Sequence, residues 1–230
     1  MDWVAAVDIY CERTSPAFWA EPLNAASNLA FPLAALWAGV EARRRRITDT
    51  LTWLLIAMAA LIGLGSFLFH TFANVWSSFA DTLPIWSFVA VFVGVAMQRI
   101  GGIKPGRVLI IGLGVAAIVT ILTLAASDGS AGGETAPDRL NGSGQYAPAV
   151  VALLVFSFLT QLRRHPARRW IAAATATFLL SLIFRTFDLA ACASFPQGLH
   201  FLWHLLNGAM IALLLQMLIR HGQAGLKPTS

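Results

Sequence analysis

Residues 51–72 read LTWLLIAMAALIGLGSFLFHTF. No Asp, Glu, Lys or Arg interrupts the run. At 1.5 Å per residue it covers about 33 Å, enough to cross the hydrocarbon core of a bilayer. Runs at 24–40, 83–98, 108–126, 146–162, 170–187 and 199–219 have the same character. In lipid each backbone N–H and C=O must be satisfied within the segment, so runs of this length are read as helices. The chain is 57% hydrophobic and 12% charged over 230 residues, too little polar surface for a soluble domain of this size. The expectation is an all-α membrane protein of seven transmembrane helices. It forms a single domain over residues 1–222, with a disordered tail at 223–230.

The formal charge of +5 is distributed like that of membrane loops. Arg43 to Arg46 follow the first run, Arg99, Lys104 and Arg107 the third, Arg163, Arg164, Arg168 and Arg169 the fifth, and Arg220 and Lys227 the last. All four clusters fall on one side of a seven-helix chain. Asp2, Asp8, Glu12, Glu21, Asp128, Glu134, Asp138 and Asp188 fall on the other. The positive-inside rule then predicts an external N-terminus and a cytoplasmic C-terminus. No basic patch interleaved with aromatics points to nucleic acid. The N-terminus lacks the positive segment of a cleavable signal peptide. Residues 127–145, rich in Gly, Ser, Asp and Pro, read as a mobile external loop. Most tryptophans fall near span ends and read as interface anchors. Trp203, beside His204, is expected to shape a pocket.

Three histidines stand inside this apolar frame. His70 closes the second run, and His200 and His204 open the seventh. Ionisable side chains in spans are costly and mark function by default. His200 and His204, at i and i+4, share a helix face. The alternation of loops places all three near the external ends of their helices, whereas His165 and His221 fall on the cytoplasmic side. Three histidines around one point, with one position left open, form a catalytic zinc set. Ser66 lies one turn below His70. Asp81 is expected to begin the third helix at the same depth, where its carboxylate can take a proton from water or orient an imidazole. Gly63 and Gly65 favour a close helix approach. The competing readings are an interfacial role for each histidine, a back-bonded helix serine at 66, an N-cap at Asp81 and a haem site. The third histidine and the Asp favour zinc over haem.

Gly-Leu-Gly-Ser-Phe-Leu-Phe-His at 63–70, Asp-Thr-Leu-Pro-Ile at 81–85 and His-Phe-Leu-Trp-His at 200–204 resemble the alkaline ceramidases, within a superfamily of seven-helix membrane hydrolases that includes the adiponectin receptors. Asp8-Ile-Tyr-Cys-Glu-Arg, Ala20-Glu-Pro-Leu-Asn24 and Ser27-Asn28 carry the narrower match. The resemblance implies a zinc amidase that cuts the N-acyl bond of ceramide to a sphingoid base and a fatty acid. It implies zinc on His70, His200 and His204, water activation by Asp81, and a Ser66 that supports the site or the oxyanion. It also implies calcium near the N-terminus, with Glu12, Glu21 and Asn24 as ligands and Asp8 as an addition. The chain departs from that pattern. Ile9 replaces an acidic residue and Thr14 replaces an Asn, so the competing reading is a cap network at the entry to the first helix.

Cys11 and Cys192 are the only cysteines. Both are predicted on the oxidising side, where a disulfide can form. Arg185 and Asp188, at i and i+3, are expected to pair. The partner called for is a ceramide-like membrane lipid, and the compact loops suggest a bacterial inner membrane with the site facing the periplasm. Hydrolysis of another acyl-lipid, and a seven-helix receptor holding a structural zinc, are the alternatives. A retinal protein is excluded because Lys104 and Lys227, the only lysines, lie in loop and tail.

Overall fold

The computed structural model describes residues 2–129 and 140–222. The expected tail at 223–230, and the part of the predicted loop at 130–139, lie outside them. The elements are α1 (Pro22–Ser27), α2 (Ala30–Arg44), α3 (Thr50–Phe72), α4 (Val75–Arg99), α5 (Pro105–Gly129), α6 (Ala147–Leu162), α7 (Arg168–Ala191) and α8 (His200–His221). Among the described residues six helical stretches are long and apolar enough to cross a membrane, α1 and α2 counting as one, and Pro105–Ile118 forms a shorter apolar helix. These agree with the expected seven.

The first span is broken. Pro22 opens α1 and Pro32 sits in the first turn of α2, where a helix has no internal partner for its N–H groups and a missing donor costs nothing. α8 packs against α2 and α7, and α3 against α2 and α4. α6 packs on α7 and α5 on α4. α8 is the most enclosed helix, with Ile211, Leu215, Met217 and Leu218 buried. α5 presents Leu109, Ile110, Leu113 and Ile118 outward, as expected of a helix whose outer face meets lipid.

Two local departures position the site. Helix α4 begins at Val75, before Asp81. Asn74 forms a capping box with Ser77, so Asp81 lies in the second turn and does not cap the helix. Pro84 lies inside α4 and has no N–H for the Ala80 carbonyl one turn earlier. At that carbonyl α3 comes into close contact with α4. A Cβ on Gly65 would collide with the Ala80 oxygen and meet Asp81 Cα at 3.4 Å. The missing hydrogen bond and the missing side chain face each other and bring α3 against α4 beside Asp81.

The described end of the predicted external loop has a defined structure. A 3-10 turn at Ser143–Tyr146 leads into α6, and Thr186 of α7 donates to Ser143 Oγ at 2.9 Å. The N-terminal strap crosses the end of the bundle that carries the histidines. Val7 N–H donates to Ala73 O at 2.8 Å, and Val75 and Trp76 donate to Ala5 and Trp3 at 3.1 and 3.0 Å. Cys11 and Cys192 are joined as a disulfide, as expected. The link closes 181 residues of chain, which in the chain-entropy model removes about 5 kcal/mol of unfolded-state freedom.

Replacing Gly65 with Val forces α3 and α4 apart. Overpacking of this kind costs about 1–3 kcal/mol. Thermal denaturation in detergent should show a lowered melting temperature for Gly65→Val and wild-type behaviour for Gly112→Ala, whose surroundings are open.

Candidate metal centre

His70 ends α3, and His200 and His204 occupy the first two turns of α8. Their candidate ligand nitrogens all lie within 4.8 Å of one another, and all three side chains are buried. His70 Nε2 and His204 Nε2 are 3.1 Å apart. Two nitrogens on a tetrahedral zinc at ordinary bond lengths stand about 3.3 Å apart. The remaining nitrogen of each ring is taken. Glu21 Oε2 is 2.6 Å from His70 Nδ1, and Ser27 Oγ is 2.8 Å from His204 Nδ1. Such partners fix the ring orientation of a metal-binding histidine and leave its other nitrogen free for the ion. His200 keeps a buried Nδ1 with no hydrogen-bond partner, and the Tyr10 ring stacks on it at 3.7 Å between centroids. The donor chemistry and spacing fit a metal ion.

The other expected members lie close by. Ser66 is buried one turn before His70, next to Gly65, where α3 comes against Asp81 of α4. Asp81 Oδ1 is sealed from solvent without a partner. An unpaired buried carboxylate oxygen is expensive, so this atom is available to a water or a substrate group. His165 and His221 stand apart, as expected. His165 Nδ1 accepts the Ala167 N–H at 3.1 Å, in the turn before α7.

The residues read as a calcium set separate into different roles. Glu12 caps α1, its two oxygens accepting the Leu23 and Asn24 N–H groups at 2.7 and 2.8 Å. Burial raises its carboxyl above the usual range against the lowering pull of those two donors. Glu21 is the orienting partner of His70 and forms an ion pair with Arg13 at 2.6 Å. Burial would push its carboxyl up, but hydrogen bonds from His70, Asn24 and Arg13 outweigh that and hold it low. Asn24 donates to Glu21 at 2.9 Å. Asp8 is exposed and stays outside this buried group.

Arg185 and Asp188 do not pair as expected. Asp188 Oδ1 accepts the Leu199 and His200 N–H groups at 2.6 and 2.9 Å, and Oδ2 accepts that of Cys11 at 3.1 Å. Arg185 turns toward the Asn141 carbonyl and lies over the Tyr146 and Trp203 rings at 5.5 and 5.7 Å. Uncapped helix N–H groups and a carbonyl offered better partners than the neighbouring side chain.

Below the histidines lies an apolar cavity lined by residues such as Ile62, Phe92, Leu153, Ile171, Trp203 and Met217. Its lining on α8 runs from Trp203 to Met217, about 21 Å of helix. Trp203 thus shapes the pocket, as expected from its place beside His204. A cavity with so apolar a lining suits an aliphatic chain. The family model described as Ceramidase matches residues 6–229. The chain belongs to the ceramidase family. No curated protein matches the chain. Membership of the ceramidase family supports an amide hydrolase acting on ceramide in general, and places the three histidines, Asp81 and Ser66 within the matched region. Tyr10, Arg13 and Ser27 join the histidine cluster from outside the three sequence blocks that carry it. None carries a local signal of its own. The hint lay in the run 8–28, which is too polar for a membrane entry that does nothing else.

Removing the Ser27 hydroxyl should free the His204 ring. Loss of such a partner costs about 10–100-fold in metal affinity, so Ser27→Ala should bind metal more weakly than wild type when titrated against a competing chelator.

Proposed function

We propose that this chain is a zinc-dependent intramembrane amidase that hydrolyses the N-acyl bond of ceramide or a ceramide-like lipid, releasing a sphingoid base and a fatty acid. The observation that carries the reading is the buried histidine cluster, spaced for a tetrahedral ion, whose His204 follows directly on Trp203 of the apolar cavity's lining. His70, His200 and His204 would hold the zinc. When bound, zinc supplies a Lewis acid that polarises the amide carbonyl and acidifies a water. Asp81, with its unpartnered Oδ1, takes the proton from the attacking water as the new C–O bond forms. Ser66 holds the Asp81 carboxylate or donates to the developing oxyanion. Asp81 then returns the proton to the amine as the C–N bond breaks, so one carboxylate serves both half-steps.

The lipid is held by burial. Each methylene taken out of water contributes about 0.8 kcal/mol. Helices α4 and α6 both line the cavity without packing closely on one another, which leaves a seam through which an acyl chain can enter from the bilayer. The basic clusters at the far end of the bundle support an orientation with the N-terminus outside, the C-terminus in the cytoplasm and the site on the external face. We assign the protein to a bacterial inner membrane, with the site on the periplasmic side.

The test is fatty-acid release from a panel of N-acyl and O-acyl lipids by the purified, zinc-analysed protein. Asp81→Asn should retain zinc and lose about 10²–10⁴-fold in kcat, and His204→Ala should lose zinc and activity together. Release by His204→Ala at the wild-type rate would exclude the assigned site. A zinc-loaded protein that cleaves no lipid in the panel would favour a receptor with a structural ion.

A further inference from the structure

The N-terminal strap contains a cation of its own. Arg13 is buried. Its Nε donates to Glu21 Oε1 at 2.6 Å, its Nη1 to the Ser15 and Ala17 carbonyls at 3.1 and 3.5 Å, and its Nη2 to the His70 carbonyl at 3.0 Å. One carboxylate and three backbone carbonyls thus enclose the guanidinium in a shell of oxygens. The His70 carbonyl belongs to the last turn of α3, which has no intrahelical donors and favours a positive charge. The other oxygen of Glu21 is the one on His70 Nδ1. Arg13 therefore touches the metal-binding residue twice, through its carbonyl and through Glu21.

A calcium ion would need six to eight oxygens, several of them charged. The group does not offer them. Both oxygens of Glu12 are used by backbone N–H groups of α1, and those of Glu21 by Arg13, Asn24 and His70. Ile9 and Thr14, which stand where ligands would be, are exposed. What stays unpartnered nearby is Asn24 Oδ1 and Asn28 Oδ1, two neutral oxygens without the charge that sets divalent-ion affinity.

We propose that Arg13 is the resident cation of the strap. It stands where the family resemblance implies calcium, positions Glu21 and His70, and makes the centre independent of calcium. The inference rests on the reading of His70, His200 and His204 as zinc ligands. Its readouts use no substrate, so a failure to cleave ceramide leaves them intact.

The test compares zinc retention, bound calcium and melting temperature in calcium-stripped buffer and in millimolar calcium. Wild type should carry no stoichiometric calcium and respond to calcium in neither retention nor melting. Arg13→Ala should bind zinc more weakly by the about 10–100-fold typical of a lost orienting partner. Arg13→Lys, which keeps the charge, should recover part of that loss. Stoichiometric calcium on wild type, or a rise in its melting temperature with calcium, overturns the proposal. So does an Arg13→Ala protein that binds zinc like wild type, or an Arg13→Lys protein no better than Arg13→Ala. If Arg13→Ala does not fold, the wild-type calcium response and Arg13→Lys still decide.

Discussion

Asp188 is a fully buried carboxylate in a bundle with little else to solvate it. An unpaired charge there would be prohibitive. It is stable because three backbone N–H groups converge on it: those of Leu199 and His200 at the start of α8, and that of Cys11 in the strap. The positive end of α8 adds a favourable field. This arrangement sets where α8 begins, and with it the first turn that carries His200 and His204. It also draws the strap down onto α7, next to the disulfide that joins Cys11 to Cys192. Gly198, at φ +66°, packs directly against Asp188 and Cys11, where no side chain could fit. The end that carries the histidines is therefore closed by the N-terminal strap, a helix start and a helix end sharing one anion.

A second anion completes the closure. Glu21 joins Arg13 of the strap to His70 of α3, while Ser27 of α1 reaches His204 of α8. The break between α1 and α2, permitted by Pro22 and Pro32, lets this short helix sit over the histidines and touch both α3 and α8. His70 and His204 are thus each oriented by a hydrogen bond from this side, and Tyr10 of the strap stacks on His200. A ligand set held by packed and hydrogen-bonded partners is the condition for a metal site with defined geometry.

The parts of this arrangement that were legible in the sequence are those with short-range signals. Hydropathy located the helices, and the i, i+4 spacing put His200 and His204 on one face. Charge alternation grouped His70 with them, because loop side is a property of the whole chain that can be counted. Asp81 was misplaced as a helix start because Ser77, Ser78 and Asp81 lower the hydropathy of the first turns of α4. The capping pair Asn74 and Ser77 was a readable signal for the earlier start. Asp188, Ser27, Tyr10 and Arg13 could not be assigned. Each has a partner far away in sequence, Cys11 for Asp188, His204 for Ser27, His70 for Arg13 and, 190 residues off, His200 for Tyr10, which spacing along the chain does not reveal. For Asp188 the local rule pointed wrongly to Arg185, since an i, i+3 pair is worth only about 0.2–0.5 kcal/mol, less than an N-terminal helix N–H left unsatisfied.

The division between the apolar cavity and the polar end also sets what each can contribute to a reaction. Burial of an acyl chain stabilises the bound lipid and its transition state by the same amount, so it tightens binding without speeding the chemical step. Rate must come from groups whose interactions strengthen as the carbonyl changes, and in the proposed reaction those groups are at the polar end. Asp81 and the histidines can act this way only if they are held in place before the lipid arrives, because charge that develops at the carbonyl is best met by dipoles already oriented. The cavity is therefore free to be smooth and tolerant of chain length. The strap cannot be: Asp188, Glu21 and Arg13 each tie it to a helix that carries the histidines, so a change in any of them acts first on the polar end.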